Sequence, residues 1–266
     1  MEMSRGDVFR ASGPASASQS RIKVGAKMDG TITAMQATLH YEAGAFQGSP
    51  MGPGCMTVFT PYDVENLYVE GFDVVVNKPK VAAYRAPGAP QSEFAAEMAV
   101  NELAKKIGMD PIEFRLKNAA KEGTQTIYGP KLKVVGLEAC LEAAKSSPHY
   151  TAPIPENVGR GLAAGFWFNI GGQSSVIINL NPDGTGTIIE GSPDIGGSRA
   201  SMQMMAAEIL GVAPSSLNPI VADTEHVAYN QTTGGSRTTF ATGMAVVEAA
   251  EDIVEQLKAR AAAMWN

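Results

Sequence analysis

Arg85 stands at the end of the strand-like "AYR", and the next five residues, Ala86-Pro87-Gly88-Ala89-Pro90, make a stiff small-residue turn ahead of an amphipathic run. A guanidinium only donates, stays charged, and can meet a carbonyl, carboxylate or oxyanion with two parallel N–H groups. On residue type alone, two readings of Arg85 stay open: a cation offered to a ligand, or one that ties down carbonyls of its own turn. A second stretch, "EGSPDIGGSRASMQMMAAE" at 190–208, ends a strand at Glu190 and enters a helix through Gly196, Gly197 and Ser198. Glycines allow close backbone approach, Ser198 is expected to cap the helix, and the first turn presents bare N–H groups with the positive end of the dipole, which suits an anion. A third stretch, "QTTGGSRTTFATGMA" at 231–245, repeats the plan with Gly235, Ser236, Arg237 and Thr238. Either loop alone fits an ordinary capping turn. Two in the same half of the chain point to one polyanionic ligand held in common. Neither has the Lys of a P-loop or the G-x-G-x-x-G order of a dinucleotide fold, which leaves an ATP or NAD module without its signature.

Other reactive residues form no pattern. Glu42, Glu93, Glu97, Asp194, Glu208 and Asp223 show no acid–base pairing, and Glu93 and Glu97 read as solvent-facing or first-turn charges. His40, His149 and His226 share no ligand spacing, and Cys55 and Cys140 are far apart with no C-x-x-C, so no metal site is assigned to this chain. The net charge of −6 argues against a nucleic-acid partner. No run of 18 apolar residues occurs and the N-terminal stretch lacks the apolar centre of a signal peptide, so the chain reads as cytoplasmic with no membrane partner.

The elements that must position these loops follow from periodicity. Residues 1–20 are expected to be loop. The stretch 21–46 alternates about Asp29-Gly30, a hairpin signal. The Gly/Pro-rich 47–63 reads as loop, and "NLYVEGFDVVVNK" as one or two strands. From Gln91 a helix is expected with Phe94, Met98, Leu103 and Ile107 on its apolar face and Gly108 as C-cap. Asp110-Pro111 starts a second helix to about Lys121, and a third spans 136–146. The Pro-rich 146–160 is the candidate linker. Beyond it, "RGLAAGFWFN" and the two halves of "SSVIINLNPDGTGTIIEGS" read as strands about Pro182-Asp183-Gly184, followed by a helix at 199–210, a strand "LNPIVADT", and a long final helix at 241–264. That helix should pack on a sheet through Met244, Val247, Ile253 and Leu257. The echo of "KMDGT" in "NPDGT" is too faint to argue duplication. Hairpins and helices without a regular β-α-β rhythm indicate an α+β fold, with domains expected at 1–150 and 151–266.

In combination, "VGAKMDGTITAMQATLHYEAGAF", "AYRAPGAPQSEFAAEMAVNELAKKIGMDPIEFRLKN", "GSPDIGGSRASMQMMAAEILGV" and "ADTEHVAYNQTTGGSRTTFATGMAVVEAA" resemble the molybdenum-cofactor-binding large subunit of the xanthine dehydrogenase and aldehyde oxidase family. The resemblance covers nearly the whole chain. It implies that 1–150 is the C-terminal part of a first molybdopterin-binding subdomain and 151–266 the N-terminal part of a second. It implies a molybdopterin cofactor, in its cytosine dinucleotide form, and hydroxylation of an aldehyde or heterocycle carbon with oxygen from water. Electrons would leave through Fe–S and FAD partner subunits or domains. It assigns Arg85 to the metal end of the site, facing a small-molecule substrate. Ala86, Pro87 and Gly88 would lie against the cofactor, Gly196, Gly197 and Ser198 on its phosphates, and Gly235, Ser236, Arg237 and Thr238 in a second contacting loop.

Three departures bear on substrate and cofactor. The family commonly has R-G-F-G where this chain has R-A-P-G, so Pro87 stands in place of a substrate-packing aromatic. Ala86 replaces the Cys of the carbon monoxide dehydrogenase branch, which argues against a copper–molybdenum site. Gly197 stands where many members have Gln. The family's earlier glycine-rich motif and its late catalytic glutamate have no counterpart here, so the resemblance implies a fragment of a larger subunit, inactive alone. A noncatalytic domain that keeps the fold as an assembly surface is the alternative, and exposed apolar surface would favour homo-oligomers.

Overall fold

The computed structural model describes residues 3–221 and 224–265, and the chain divides into two compact units, 1–167 and 168–266. Asp223 lies outside the described residues. The first unit runs α1 (Arg5–Ala11), β1 (Ser18–Ala26), β2 (Ile32–Gly44), α2 (Met51–Thr57), β3 (Asn66–Val75), α3 (Ala89–Ile107), α4 (Pro111–Asn118), α5 (Leu137–Ser146) and the single turn α6 (Pro148–Thr151). The second runs β4 (Val176–Leu180), β5 (Gly186–Glu190), α7 (Ser198–Leu210), β6 (Leu217–Val221) and α8 (Gly243–Trp265). This is an α+β architecture.

Each unit is built on one three-stranded sheet, in the order β1-β2-β3 and β4-β5-β6. In both, the first two strands are antiparallel and the third runs parallel to the second. Both therefore read hairpin, helix, parallel strand, long loop, helix. The hairpin turns match bond for bond. Lys27 N–H donates to Thr31 O at 2.9 Å and Asn181 N–H to Thr185 O at 2.7 Å, while Thr31 N–H and Thr185 N–H donate to the carboxylates of Asp29 and Asp183 at 2.9 and 3.0 Å. Gly30 and Gly184 sit at φ 85° and 83°, a conformation that favours glycine. The repeated plan survives in sequence only as Asp-Gly-Thr, because the turn demands only those groups.

The core of the first unit is the inward face of β2. Met35, Ala37, Leu39 and Tyr41 are buried against Phe59, Tyr62, Ala96, Val100 and Phe114. Large apolar side chains of this kind contribute roughly 1.5–3 kcal/mol each when fully buried. A satellite core joins α4 to α5 through Ile112, Ala119 and Leu141. In the second unit Ile188, Met202, Ala206, Leu217 and Val246 pack sheet, α7 and α8 together.

Several expectations are corrected. Residues 1–20 contain α1, closed by a Ser4–Asp7 capping box, and the start of β1. The expected loop 47–63 contains α2, whose Gly54 is fixed by Tyr41: a Cβ there would lie 2.4 Å from the phenol oxygen. The face of α3 that packs inward is Ala89, Ser92, Ala96, Glu97, Val100 and Ala104, whereas Phe94 and Met98 are exposed. In α8 the buried residues are Gly243, Val246 and Ala250, with Met244 and Leu257 exposed. α4 ends at Asn118, short of Lys121. The Pro-rich 146–160 folds onto the first unit, where Tyr150 donates to Asp110 Oδ2 at 2.7 Å.

The stretch 160–169 is not a strand among the described residues. Two carboxylates of α3 take the N–H groups a sheet partner would have taken. Ala164 N–H donates to Glu97 Oε2 at 2.6 Å and Phe166 N–H to Glu93 Oε1 at 2.9 Å. Glu97 is 4% exposed and also binds buried Arg115 and the Tyr62 hydroxyl, so neither glutamate is a solvent-facing charge. Burial, with Glu97 nearby, pushes the Glu93 carboxyl up to about 7, although the bond from Phe166 N–H pulls it down. Its folded value therefore exceeds its unfolded one, so its contribution is fully present below about pH 4.5 and is lost as pH rises through about 7. Because Glu93 keeps some contact with solvent, the loss should be about 1–2 kcal/mol. Glu93→Gln keeps the acceptor for Phe166 N–H and should remove this slope: urea unfolding at pH 5 and pH 8 should then give nearly equal stabilities. An unchanged slope would mean that Glu93 is not its source.

Candidate functional site

Arg85 lies in the loop between β3 and α3. The strand expected at 83–85 is replaced by irregular backbone. Arg85, Ala86, Pro87 and Gly88 line a cavity of about 380 Å³, closed on other sides by Ser16, Pro50 and Gln91. Among the described residues the Arg85 guanidinium makes no hydrogen bond or ion pair, and no carboxylate lines the cavity. By contrast, the buried Arg115 and Arg237 are wrapped in protein acceptors. The reading of Arg85 as a tie for its own turn therefore fails, and the open alternative is a cation offered to the cavity.

The loop that carries Arg85 is held in an unusual backbone shape. Ala86 has φ 52°, the left-handed region that costs a non-glycine residue on the order of 1 kcal/mol or more. Gly88 has φ 90°, its carbonyl accepts from the Tyr41 hydroxyl at 2.6 Å, and a Cβ on it would stand 2.1 Å from the carbonyl oxygen of Pro50. Only glycine lets α2 and the start of α3 meet this closely. Gly88→Ala should destabilise the chain by about 2–3 kcal/mol in urea unfolding, through overlap with backbone that cannot swing aside. A neutral result would mean the Pro50 segment yields readily.

A larger, shallower recess of about 590 Å³ lies over the outward face of the first sheet by Lys23, Gln36 and Tyr68. It holds none of the residues singled out by sequence, and Arg85 supplies the chemistry that this recess lacks.

In the second unit the β5–α7 loop has Gly196 at φ 63° and Gly197 at φ 85°, and open space where a Cβ would stand on either. Gly197 is the N-cap of α7, which has no side-chain cap. The expectation that Ser198 caps is corrected. Its hydroxyl accepts from Ile195 N–H at 3.2 Å and donates to Asp194 Oδ1 at 3.2 Å, and Asp194 itself accepts from Arg199 N–H at 3.1 Å. The peptide N–H groups of Gly196, Gly197 and Ser198 have no acceptor among the described residues. That is the donor set an anion requires at a helix start.

The loop before α8 is different in kind. Arg237 is 1% exposed, and its guanidinium donates to the carbonyls of Gly171, Gln231 and Gln173 and to Ser174 Oγ. Its donors are turned to protein acceptors of its own unit. Ser236 has φ 59°, Gly235 is packed on Ile170 so closely that a Cβ would lie 2.5 Å from its Cδ1, and Thr238 Oγ1 is buried with no partner among the described residues. Residues 238–242 form a π-type turn leading into α8.

Sequence reasoning missed Glu190, which is fully buried. Burial pushes its carboxyl up, with Asp194 adding to the rise, while hydrogen bonds from Ser192 and the charge of Arg199 pull it back. Its Oε2 accepts from Ser192 N–H at 2.6 Å and its Oε1 has no partner among the described residues. A carboxylate at the last inward position of an alternating strand was the available signal.

The site residues can be set beside known proteins. Molybdopterin cofactor-binding domain models match residues 1–119 and 136–266, all but the 120–135 connection. The chain belongs to the molybdopterin-binding domains of the molybdenum hydroxylase family. It is similar to the aldehyde oxidoreductase of Megalodesulfovibrio gigas, 31% identical over 88% of this chain and 28% of the relative. It is also similar to a probable hypoxanthine oxidase of Escherichia coli K12, 28% identical over 89% of this chain and 27% of the relative. Among solved structures it superposes on the aldehyde oxidoreductase of Desulfovibrio desulfuricans with TM-score 0.77 at 28% identity, covering 91% of this chain and 29% of that one. Quinoline 2-oxidoreductase of Pseudomonas putida 86, at 19% identity and TM-score 0.78, shares the fold over 92% of this chain and 35% of its own. The chain thus spans less than a third of the length of the curated relatives it matches. No helix among the described residues is long and apolar enough to cross a membrane.

The residues present suit the family's cofactor. A cavity with a free cation and no competing carboxylate fits the anionic, oxygen-rich metal end, and unpaired amides at a helix start fit a phosphate tail.

Proposed function

We propose that this chain is the cofactor-contacting part of a larger molybdenum hydroxylase subunit, which oxidises an aldehyde or heterocycle carbon with oxygen drawn from water. The first unit is read as the C-terminal part of one molybdopterin-binding subdomain and the second as the N-terminal part of the next. The observation that carries the reading is the unpaired Arg85 guanidinium lining a cavity free of carboxylates. The cofactor, read here as the cytosine dinucleotide form, supplies the two-electron chemistry when bound.

This chain's own residues bind and orient. Arg85 orients the substrate's oxygen and stabilises negative charge that develops on it. Ala86, Pro87 and Gly88 hold that arginine on strained, immobile backbone. Gly196, Gly197 and Ser198 offer amides to the phosphates, and Gly235, Ser236, Arg237 and Thr238 support the same end with a buried positive charge. Pro87, smaller than an aromatic, leaves room for an aldehyde or small ring in place of a stacked purine. Electrons would pass to Fe–S and FAD partners, the protein would act in the cytoplasm, and the chain by itself would not turn over.

Co-expression of this chain with and without the remaining segments of a large subunit, followed by molybdenum and pterin analysis, tests the reading. Cofactor retained by the complete subunit and reduced by Arg237→Met is the expected result. A complete subunit that holds neither molybdenum nor pterin would favour the alternative, an assembly surface that keeps the fold without the chemistry.

A further inference from the structure

Glu190, at the end of β5, and Arg237, in the loop before α8, are both buried to within 1%, and a run of hydrogen bonds connects their segments. Arg237 Nη2 donates to Ser174 Oγ at 2.7 Å. Ser174 Oγ lies 3.1 Å from Thr242 Oγ1, and Thr242 Oγ1 lies 2.9 Å from Ser192 Oγ. Ser192 N–H then reaches the Glu190 carboxylate at 2.6 Å. Arg237 only donates, so the hydroxyls of Ser174, Thr242 and Ser192 can align away from it and polarise one another, while the step to Glu190 is made separately by the Ser192 peptide N–H.

Thr242 is the crossing point. It is fully buried in the π-type turn before α8, while Ser192 lies in the β5–α7 glycine loop and Ser174 in the extended segment before β4. A π-type turn widens the helix by one residue, often at functional positions, and here the turn carries the hydroxyl that faces both other segments. The first loop has open space around Gly196 and Gly197, whereas the second is also held by Arg237 and by the bond from Ile170 N–H to Gly235 O at 2.8 Å.

The geometry points to Thr242 as a positioning residue that ties the Gly191–Ser198 loop to the Gln231–Thr238 loop, so that an anion held on the first is felt in the second. This rests on the reading of these loops as a phosphate site. The coupling is carried by a contiguous hydrogen-bond network whose middle member belongs to neither glycine loop.

The test is amide hydrogen exchange on the full 266-residue chain and on Thr242→Val and Thr242→Ser, with and without inorganic pyrophosphate. Valine keeps the shape and removes the hydroxyl. It should speed exchange on the order of tenfold in both 191–198 and 231–238 together, leaving α3 and the β4–β5 ladder unchanged. Serine, which keeps the hydroxyl, should restore both loops. In the unaltered chain pyrophosphate should protect both loops, and in Thr242→Val only the first. If valine lowers the helical circular dichroism, Ser192→Ala cuts the same chain at its next link and must loosen both loops in the same way.

Loosening of one loop alone, or a serine variant as loose as the valine one, overturns the coupling. Pyrophosphate that protects neither loop of the unaltered chain overturns the phosphate reading instead, and the coupling is then decided by the two variants.

Discussion

Arg85→Ala should lower kcat/KM of the complete, cofactor-loaded subunit by about 10²–10³, the usual cost of removing one group that stabilises charge developing in the transition state. The fall should appear mainly in kcat, because an interaction made only as charge develops does not alter ground-state binding. Arg85→Lys should recover only part of it, since an ammonium keeps the charge but lacks the planar fork. The same substitution should leave stability within about 0.5 kcal/mol, because an exposed side chain with no hydrogen bond contributes little to the fold. Steady-state kinetics beside urea unfolding make the comparison. Unchanged kcat/KM would remove Arg85 from the reacting centre. A large loss of stability would return it to the scaffold.

The other large effect belongs to Glu97→Ala. Glu97 accepts from Arg115 Nε at 3.0 Å and Nη2 at 2.6 Å, from the Tyr62 hydroxyl, and from Ala164 N–H at 2.6 Å. Arg115 is 1% exposed and has no other carboxylate. Truncating Glu97 strands a buried guanidinium, a phenol and a peptide N–H at once, which should cost about 3–5 kcal/mol. Removing the cation as well, in Glu97→Ala with Arg115→Met, should be less damaging than Glu97→Ala alone, because the charge left without a partner is then gone. Urea midpoints of the two single variants and the double variant give the answer. A single variant within about 1 kcal/mol of the parent would mean that water reaches Arg115.

Whether a residue faces inward was the weak point of sequence reading. Phe94 and Met98 look like the apolar stripe of α3, and Glu97 looks like its wet side. The helix turns the other way because Ala96, Val100 and Ala104 let it lie close on β1 and α2, and Glu97 shares their face. Small residues gave no hydrophobic signal strong enough to compete with a phenylalanine. The 160–169 stretch failed for a related reason: its β-like composition was genuine, but two of its N–H groups found glutamates in place of a neighbouring strand. α2 was hidden by Gly52, Pro53 and Gly54, of which Gly54 is required because the Tyr41 phenol comes too close for any side chain, while β3 meets the helix at its own Gly71, where a Cβ would lie 2.4 Å from Met51 Sδ.

By itself the sequence determined the turns, most of the helix ends and the family. Asp29-Gly30, Asp183-Gly184, Gly108 and Asp110-Pro111 act through bonds to their immediate neighbours, so a local reading finds them. It also placed a charged donor at Arg85 and bare amides at Gly196 and Gly197. Only the tertiary structure decided which arginine is free. Arg85, Arg115 and Arg237 are alike as letters, and their difference lies in carbonyls and carboxylates brought from as far as 66 residues away. Burial and long-range hydrogen bonding enclose two of them and leave the third exposed, without an acceptor among the described residues, because a guanidinium is buried only where carbonyls and carboxylates surround it.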